Sequence, residues 1–129
     1  VSETATKSEI MLAVGRESRL FKNPVGNGWM GKVIAEKGDT VTLAGARRVA
    51  YGLNVGSSDL VGWTSLLITP DHVGRILAIF SAIEVKKPGG RHPVTDEQEK
   101  FLAAVRRAGG FAGIARSPEQ ARLILGLPT

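Results

Sequence analysis

The chain of 129 residues contains no cysteine, which excludes a disulfide framework, a thiolate nucleophile and any zinc site built on sulfur. Its two histidines are too few for a three-histidine metal centre. Aromatic residues make up only 5%, which disfavours a single-strand reader built from base-stacking platforms. The longest unbroken apolar run, Ile76 to Phe80, falls far short of the roughly 18 residues a membrane span requires. No charged-then-apolar segment opens the sequence, so a soluble, cytoplasmic protein is expected. Nothing repeats at a period of about 20 to 50 residues, which removes solenoids and arrays. What is present suits one domain spanning residues 1–129, with 43% apolar residues to fill a core. A net charge of +5 and a pI near 10 favour an anionic polymer as partner.

Local signals predict an α/β chain. Glu3 to Val14 lacks Gly and Pro, follows a capping Ser2 and stops at Gly15, as a first helix would. Arg19 to Asn23 reads as extended, and Gly26-Asn27-Gly28 as a turn or loop. Trp29 to Ala50 alternates loosely around Gly38-Asp39, a hairpin signal. Asp59 to Thr69 reads as a strand, followed by a turn at Pro70 to Gly74. Seven of the first eight residues of Ile76 to Lys86 are apolar, the pattern of a central strand covered on both faces. Thr95-Asp96-Glu97-Gln98 is a capping box opening a helix to Gly109. A short strand, Phe111 to Ala115, and a last helix begun by Ser117-Pro118 complete the order.

If the strands on either side of Asp71 and His72 form a tight hairpin, the sum of opposed residue numbers is constant, and Asp59 faces Glu84. Lys86 lies two residues beyond Glu84 and so on the same side of the sheet. Two carboxylates about 5 Å apart repel in a partly dry setting, and a hard divalent ion resolves the conflict. Mg²⁺ or Mn²⁺ held by Asp59, Glu84 and the Val85 carbonyl would activate water, with Lys86 orienting it or meeting the added charge on phosphorus. For each residue singly, a plain strand-end charge is the better reading; for the three together, phosphodiester hydrolysis is.

The segments Gly56-Ser57-Ser58-Asp59-Leu60-Val61-Gly62, Ile83-Glu84-Val85-Lys86-Lys87-Pro88, and Thr95 to Gln98 leading to Phe101-Leu102 and Gly109-Gly110 resemble the VRR-NUC branch of the PD-(D/E)xK nucleases, in its stand-alone viral or bacterial form. The resemblance runs from Glu9 to about Ala121. It implies a restriction-endonuclease-like fold, a mixed central sheet flanked by helices in the order α-β-β-β-α-β-α. It further implies metal ligation by Glu9, Asp59 and Glu84, a catalytic Lys86, and a part for Gln98. Ser58 stands where the superfamily's name has proline, and Glu3 and Glu17 are rivals to Glu9. Branched DNA, such as a four-way junction, flap or splayed arm, is the implied substrate.

Beside these, Gln98 has a purely structural role open to it at the third position of a capping box. Arg16, Arg19, Lys22, Arg47, Arg48, Lys87 and Arg91 are candidates for phosphate contact, with Lys87 and Arg91 favoured because they flank the strand end in a Gly-rich loop. His72 reads as a turn residue and His92 as an exposed one. A homodimer is expected, because one site per chain cuts two strands symmetrically only as a twofold pair. The competing reading is a basic nucleic-acid-binding module without catalysis.

Overall fold

The computed structural model describes residues 2–128 except 91 and 92. It is an α/β fold with the expected succession of helices, and five strands lie between the first two of them. The helices are α1 (Glu3–Ala13), α2 (Asp96–Arg107) and α3 (Pro118–Ile124). The strands are β1 (Ser18–Lys22), β2 (Gly26–Lys37), β3 (Thr40–Tyr51), β4 (Leu60–Thr64), β5 (Ser81–Val85) and β6 (Phe111–Ala115). Among the described residues they form three two-stranded sheets, β1 with β4, β2 with β3, and β5 with β6. No helix is long and apolar enough to cross a membrane. The chain divides into two compact units, residues 1–62 and 63–129.

In the first unit, Ser2 caps α1 by accepting from the amide of Ala5 at 3.1 Å. Strands β2 and β3 form a long antiparallel ribbon about the Gly38-Asp39 turn, and Gly38 takes the left-handed conformation (φ 59°) that favours glycine. The ribbon is bulged between Met30 and Lys32 and between Val33 and Ala35. Gly26-Asn27-Gly28 is not a loop: it is the start of β2, paired with Val49 to Tyr51. The Tyr51 ring lies close over Gly26, where a Cβ would stand 2.6 Å from its hydroxyl.

The second unit has the layered core. Strands β5 and β6 run parallel, Ser81 opposite Phe111 through Val85 opposite Ala115, and α2 and α3 pack on them. Leu102 and Val105, three apart on α2 and therefore on one face, are buried with Ala115. The Trp63 ring meets Phe80 at 4.9 Å and Phe101 at 6.4 Å between centroids. A Cβ at Gly110 would lie 2.6 Å from the Phe80 carbonyl, so the chain passes from α2 into β6 only without a side chain there.

Two strand expectations are corrected. The predicted central strand from Ile76 is ordered as strand only from Ser81, and Ile76 is 100% exposed. Apolar residues make a strand only where a ladder receives them, and the five residues of β6 reach back only to the Phe80 carbonyl, which accepts from the Phe111 amide at 3.0 Å, leaving none for Ile76 to Ile79. The predicted hairpin of the Asp59 and Glu84 strands is not formed. β4 pairs with β1 and β5 with β6. Residues 65–80 hold a short 3₁₀ turn at Pro70–His72 rather than continuous strand. There His72 Nδ1 accepts from the Thr69 amide at 3.0 Å, the turn role its sequence suggested.

Candidate active site

In the second unit, the β5 ladder continues one bond beyond the strand, the Lys86 amide donating to the Ala115 carbonyl at 3.0 Å. Because Ala115 is buried, this bond anchors the strand end to the core. The period of two then brings Glu84 and Lys86 to one side as expected: Lys86 Nζ lies 3.2 Å from Glu84 Oε1, with side chains 13% and 28% exposed respectively. Val85 between them, opposite Ala115, is exposed.

Gln98 closes the cluster from the first turn of α2. Its Nε2 donates to Glu84 Oε1 at 2.8 Å. Its Oε1 accepts from Lys86 Nζ at 3.2 Å and from the Thr95 amide at 3.0 Å, while Thr95 Oγ1 accepts from the Gln98 amide at 3.1 Å. The opposite amide orientation would aim NH₂ at two donors and oxygen at a carboxylate, so the neighbours fix it. Gln98 therefore caps α2 and joins Glu84 to Lys86 at the same time. Two oxygens occupy Lys86 Nζ, leaving one of its three donor positions without a protein partner among the described residues. Glu84 Oε2 likewise has none.

The turn after this strand end is pinned: the Lys87 carbonyl accepts from the Gly90 amide at 3.0 Å and from Arg116 Nη1 at 2.9 Å. Lys87 itself is exposed, as a phosphate contact requires. Arg91, also expected there, and His92 lie outside the described residues. Sequence reading missed Arg116; the amide of that residue is in turn held by Gln120, within the Ser117-capped turn that was legible.

In the first unit, Asp59 immediately precedes β4. Its carbonyl accepts from the Asn23 amide at 2.8 Å, and its carboxylate, 66% exposed, lies 3.7 Å from Lys7 Nζ. Asn23 holds the whole approach to Asp59. Its Nδ2 donates to Ser57 Oγ at 2.8 Å and the Ser58 carbonyl at 2.9 Å, and its Oδ1 accepts from the Leu53 amide at 3.0 Å. Asn23 is buried, and a buried amide with every polar atom satisfied makes a rigid clamp. The sequence offered one signal for it, a polar residue ending an extended stretch before Pro24.

Lys7 also pairs with Glu3 at 2.7 Å. The hydrogen bond from Lys7, reinforced by its charge, holds the Glu3 carboxyl below the usual carboxylate range. The same bond raises the Lys7 ammonium, and the charge of Asp59 adds to it. Glu9, the expected helix-one ligand, is exposed and two residues on from Lys7. At about 100° per residue it is turned to nearly the opposite side of α1, so the carboxylate on the side of Lys7 and Asp59 is Glu3. Arg19 and Lys22 are exposed on β1, Arg19 with its guanidinium 5.2 Å from the Phe21 ring centroid.

Among the described residues, no three or more Asp, Glu or His gather closely enough to hold a metal by themselves. The available donors nevertheless suit a hard cation. A carboxylate oxygen, at Glu84 in the second unit as at Asp59 in the first, is the donor type that Mg²⁺ and Mn²⁺ prefer, and Mg²⁺ is commonly held by one or two carboxylates together with substrate phosphate. The cluster is half-buried. An apolar cleft of about 410 Å³ in this unit is lined by residues such as Trp63, Leu66, Ile79 and Phe80, and includes none of Glu84, Lys86 and Gln98.

Compared with known families, residues 33–119 match the VRR-NUC domain. The match covers about two thirds of the chain, including Asp59, Glu84, Val85, Lys86, Lys87, Arg91 and Gln98 but not Glu9, Arg19 or Lys22. No curated protein and no solved structure matches.

Proposed function

The chain belongs to the VRR-NUC domain family of nucleases, and from this we propose that it is a Mg²⁺- or Mn²⁺-dependent endonuclease hydrolysing DNA phosphodiester bonds. The observation that carries the reading is the hydrogen-bonded cluster of Glu84, Lys86 and Gln98 at an anchored strand end. When bound, the ion supplies a polarised water and draws charge from the phosphate oxygens. Glu84 of the second unit and Asp59 of the first are the carboxylates that would hold it, with the Val85 carbonyl as a further oxygen.

Lys86 uses its remaining donor position to orient the attacking water and to meet the negative charge that grows on the phosphate. The water's oxygen bonds to phosphorus as the bond to the leaving oxygen breaks; the water's proton passes to solvent and the leaving oxygen takes one from solvent. Gln98 keeps Glu84 and Lys86 in register from the start of α2, so neither group reorganises during the reaction. Lys87, Arg91, Arg19 and Lys22 supply the positive charge that contacts backbone phosphates. Branched DNA is the proposed substrate and a homodimer the working form, since symmetrical cutting needs two twofold-related sites.

The test is an incubation of a four-way junction and a matched linear duplex with Mg²⁺, with Mn²⁺, and with excess chelator. The reading predicts cleavage with either ion, none in chelator, and faster cutting of the junction. Binding without cutting under every metal condition would establish a non-catalytic binding module instead.

A further inference from the structure

The β2–β3 ribbon contributes nothing to the cluster, yet it has the longest strands in the chain, twelve residues each. None of its residues is buried, and each strand packs chiefly on the other. An isolated two-stranded ribbon is marginal in water, so an exposed one of this length is expected to have an occupant.

Its register sorts the side chains into two sides, since opposed residues of an antiparallel pair share a side. Met30 opposite Arg47, Lys32 opposite Ala44, Ala35 opposite Thr42 and Lys37 opposite Thr40 lie on one. Trp29 opposite Arg48, Val33 opposite Leu43 and Glu36 opposite Val41 lie on the other. Two observations agree with this sorting. The Arg48 guanidinium stands 5.8 Å from the Trp29 ring centroid, and a Cβ at Gly31, which shares the Trp29 and Val33 side, would approach the Leu43 side chain at 3.2 Å.

The first side thus carries Lys32, Lys37 and Arg47 and no carboxylate. All three are exposed, and none forms an ion pair among the described residues. The ribbon's one strand carboxylate, Glu36, is on the other side. The bulges are what produce this separation: if every residue alternated regularly, Lys37, five positions after Lys32, and Arg47, three after the Ala44 that faces Lys32, would fall on the opposite side.

We infer that this basic side is a docking surface for double-stranded DNA outside the cleavage site, with Lys32, Lys37 and Arg47 on phosphates. A two-stranded ribbon is among the elements a major groove of about 12 Å admits, and a like-charged side without internal counter-ions is complementary to a polyanion. The inference rests on the nuclease reading for the identity of the polymer, but not on the cleavage chemistry.

The test measures binding of the whole protein to a duplex in chelator across a range of salt, for the parent and for the triple variant Lys32→Ser, Lys37→Ser and Arg47→Ser. Each phosphate contact contributes about 0.9 to the slope of log affinity against log salt, so the triple variant is expected to lose about 2.7. The double variant Val33→Thr and Val41→Thr, on the apolar side, is expected to leave the slope unchanged. An unchanged slope in the triple variant would overturn the inference. So would loss of affinity in the apolar variant accompanied by a change from dimer to monomer, which would make the ribbon an interface between copies. The parent's cleavage with Mg²⁺ is read separately: a parent that cuts while the triple variant's slope stays unchanged refutes the ribbon alone. A parent that never cuts while the slope falls refutes the nuclease reading alone.

Discussion

The β2–β3 ribbon and the β5–α2–β6 layer are built from similar residue types and end in opposite states. In the layer, a short parallel pair is held by a helix whose Leu102 and Val105 are almost wholly removed from water. In the ribbon, Trp29, Met30, Val33, Ile34 and Val41 stay exposed. The difference lies in what covers them: α2 is amphipathic and caps itself next to the strand it packs on, whereas the ribbon's strands find only each other. Burial fixes rotamers and so permits a chemically exact cluster, which is where Glu84, Lys86 and Gln98 stand. An exposed ribbon holds no such geometry, and phosphate contact, set mainly by charge, requires none.

The contrast predicts unequal costs for equal truncations. Leu102→Ala removes a buried side chain and should cost about 2 to 5 kcal/mol in chemical denaturation, while Val33→Ala on the ribbon should stay within about 0.5 kcal/mol. Similar losses at both positions would show that the ribbon is covered in solution. Next in size, Asn23→Ala removes three side-chain hydrogen bonds from the segment before Asp59. The Ser58 carbonyl and the Leu53 amide lose their side-chain partner, and because both residues are exposed the cost should be about 0.5 to 1.5 kcal/mol per hydrogen bond. On the present reading it also raises the Mg²⁺ concentration needed for half-maximal cleavage, a shift a purely structural residue would not produce at temperatures where the variant is folded.

Gln98→Glu sharpens the comparison further, because the capping box accepts Glu as well as Gln. Helix stability should change by less than about 1 kcal/mol by thermal melting. Cleavage should fall about tenfold or more, because the donor to Glu84 becomes a like charge beside it. Unchanged cleavage would reduce Gln98 to a cap. The smallest effect belongs to Glu3. Its carboxyl is held low in the folded chain, so its contribution is present above the ordinary carboxylate pKa and is lost as pH falls through the lowered folded value. The pair is surface-exposed, so its weight is slight. Glu3→Gln should therefore lower stability slightly at neutral pH, leave it unchanged below the folded value, and so flatten the acid-side fall of the stability curve.

Legibility in the sequence followed the range of the physical rule. Thr95 to Gln98 and Ser117-Pro118 act over three residues, and both caps formed where expected. The shared side of Glu84 and Lys86 needs only a strand, and was equally readable. Placing Asp59 opposite Glu84 needed a neighbour and a turn, and the sixteen residues 65–80 supplied a 3₁₀ turn and irregular chain instead of a tight hairpin. The face of α1 turned toward Asp59 was illegible for a similar reason: helical periodicity defines faces, but which one meets Asp59 is decided by the long-range contact of Lys7. Asn23 and Arg116 act across 34 or 35 and 29 positions of sequence, beyond any local pattern.

The central claim is that Lys86, held by Glu84 and Gln98, acts on the scissile phosphate. Its most direct test is the single-turnover cleavage rate of Lys86→Ala beside the parent, in Mg²⁺, with enzyme in excess and DNA fully bound. A fall of about 10² to 10³ with DNA affinity retained is predicted, the usual size for removing one group that meets transition-state charge. A rate equal to the parent's at full occupancy would contradict the account.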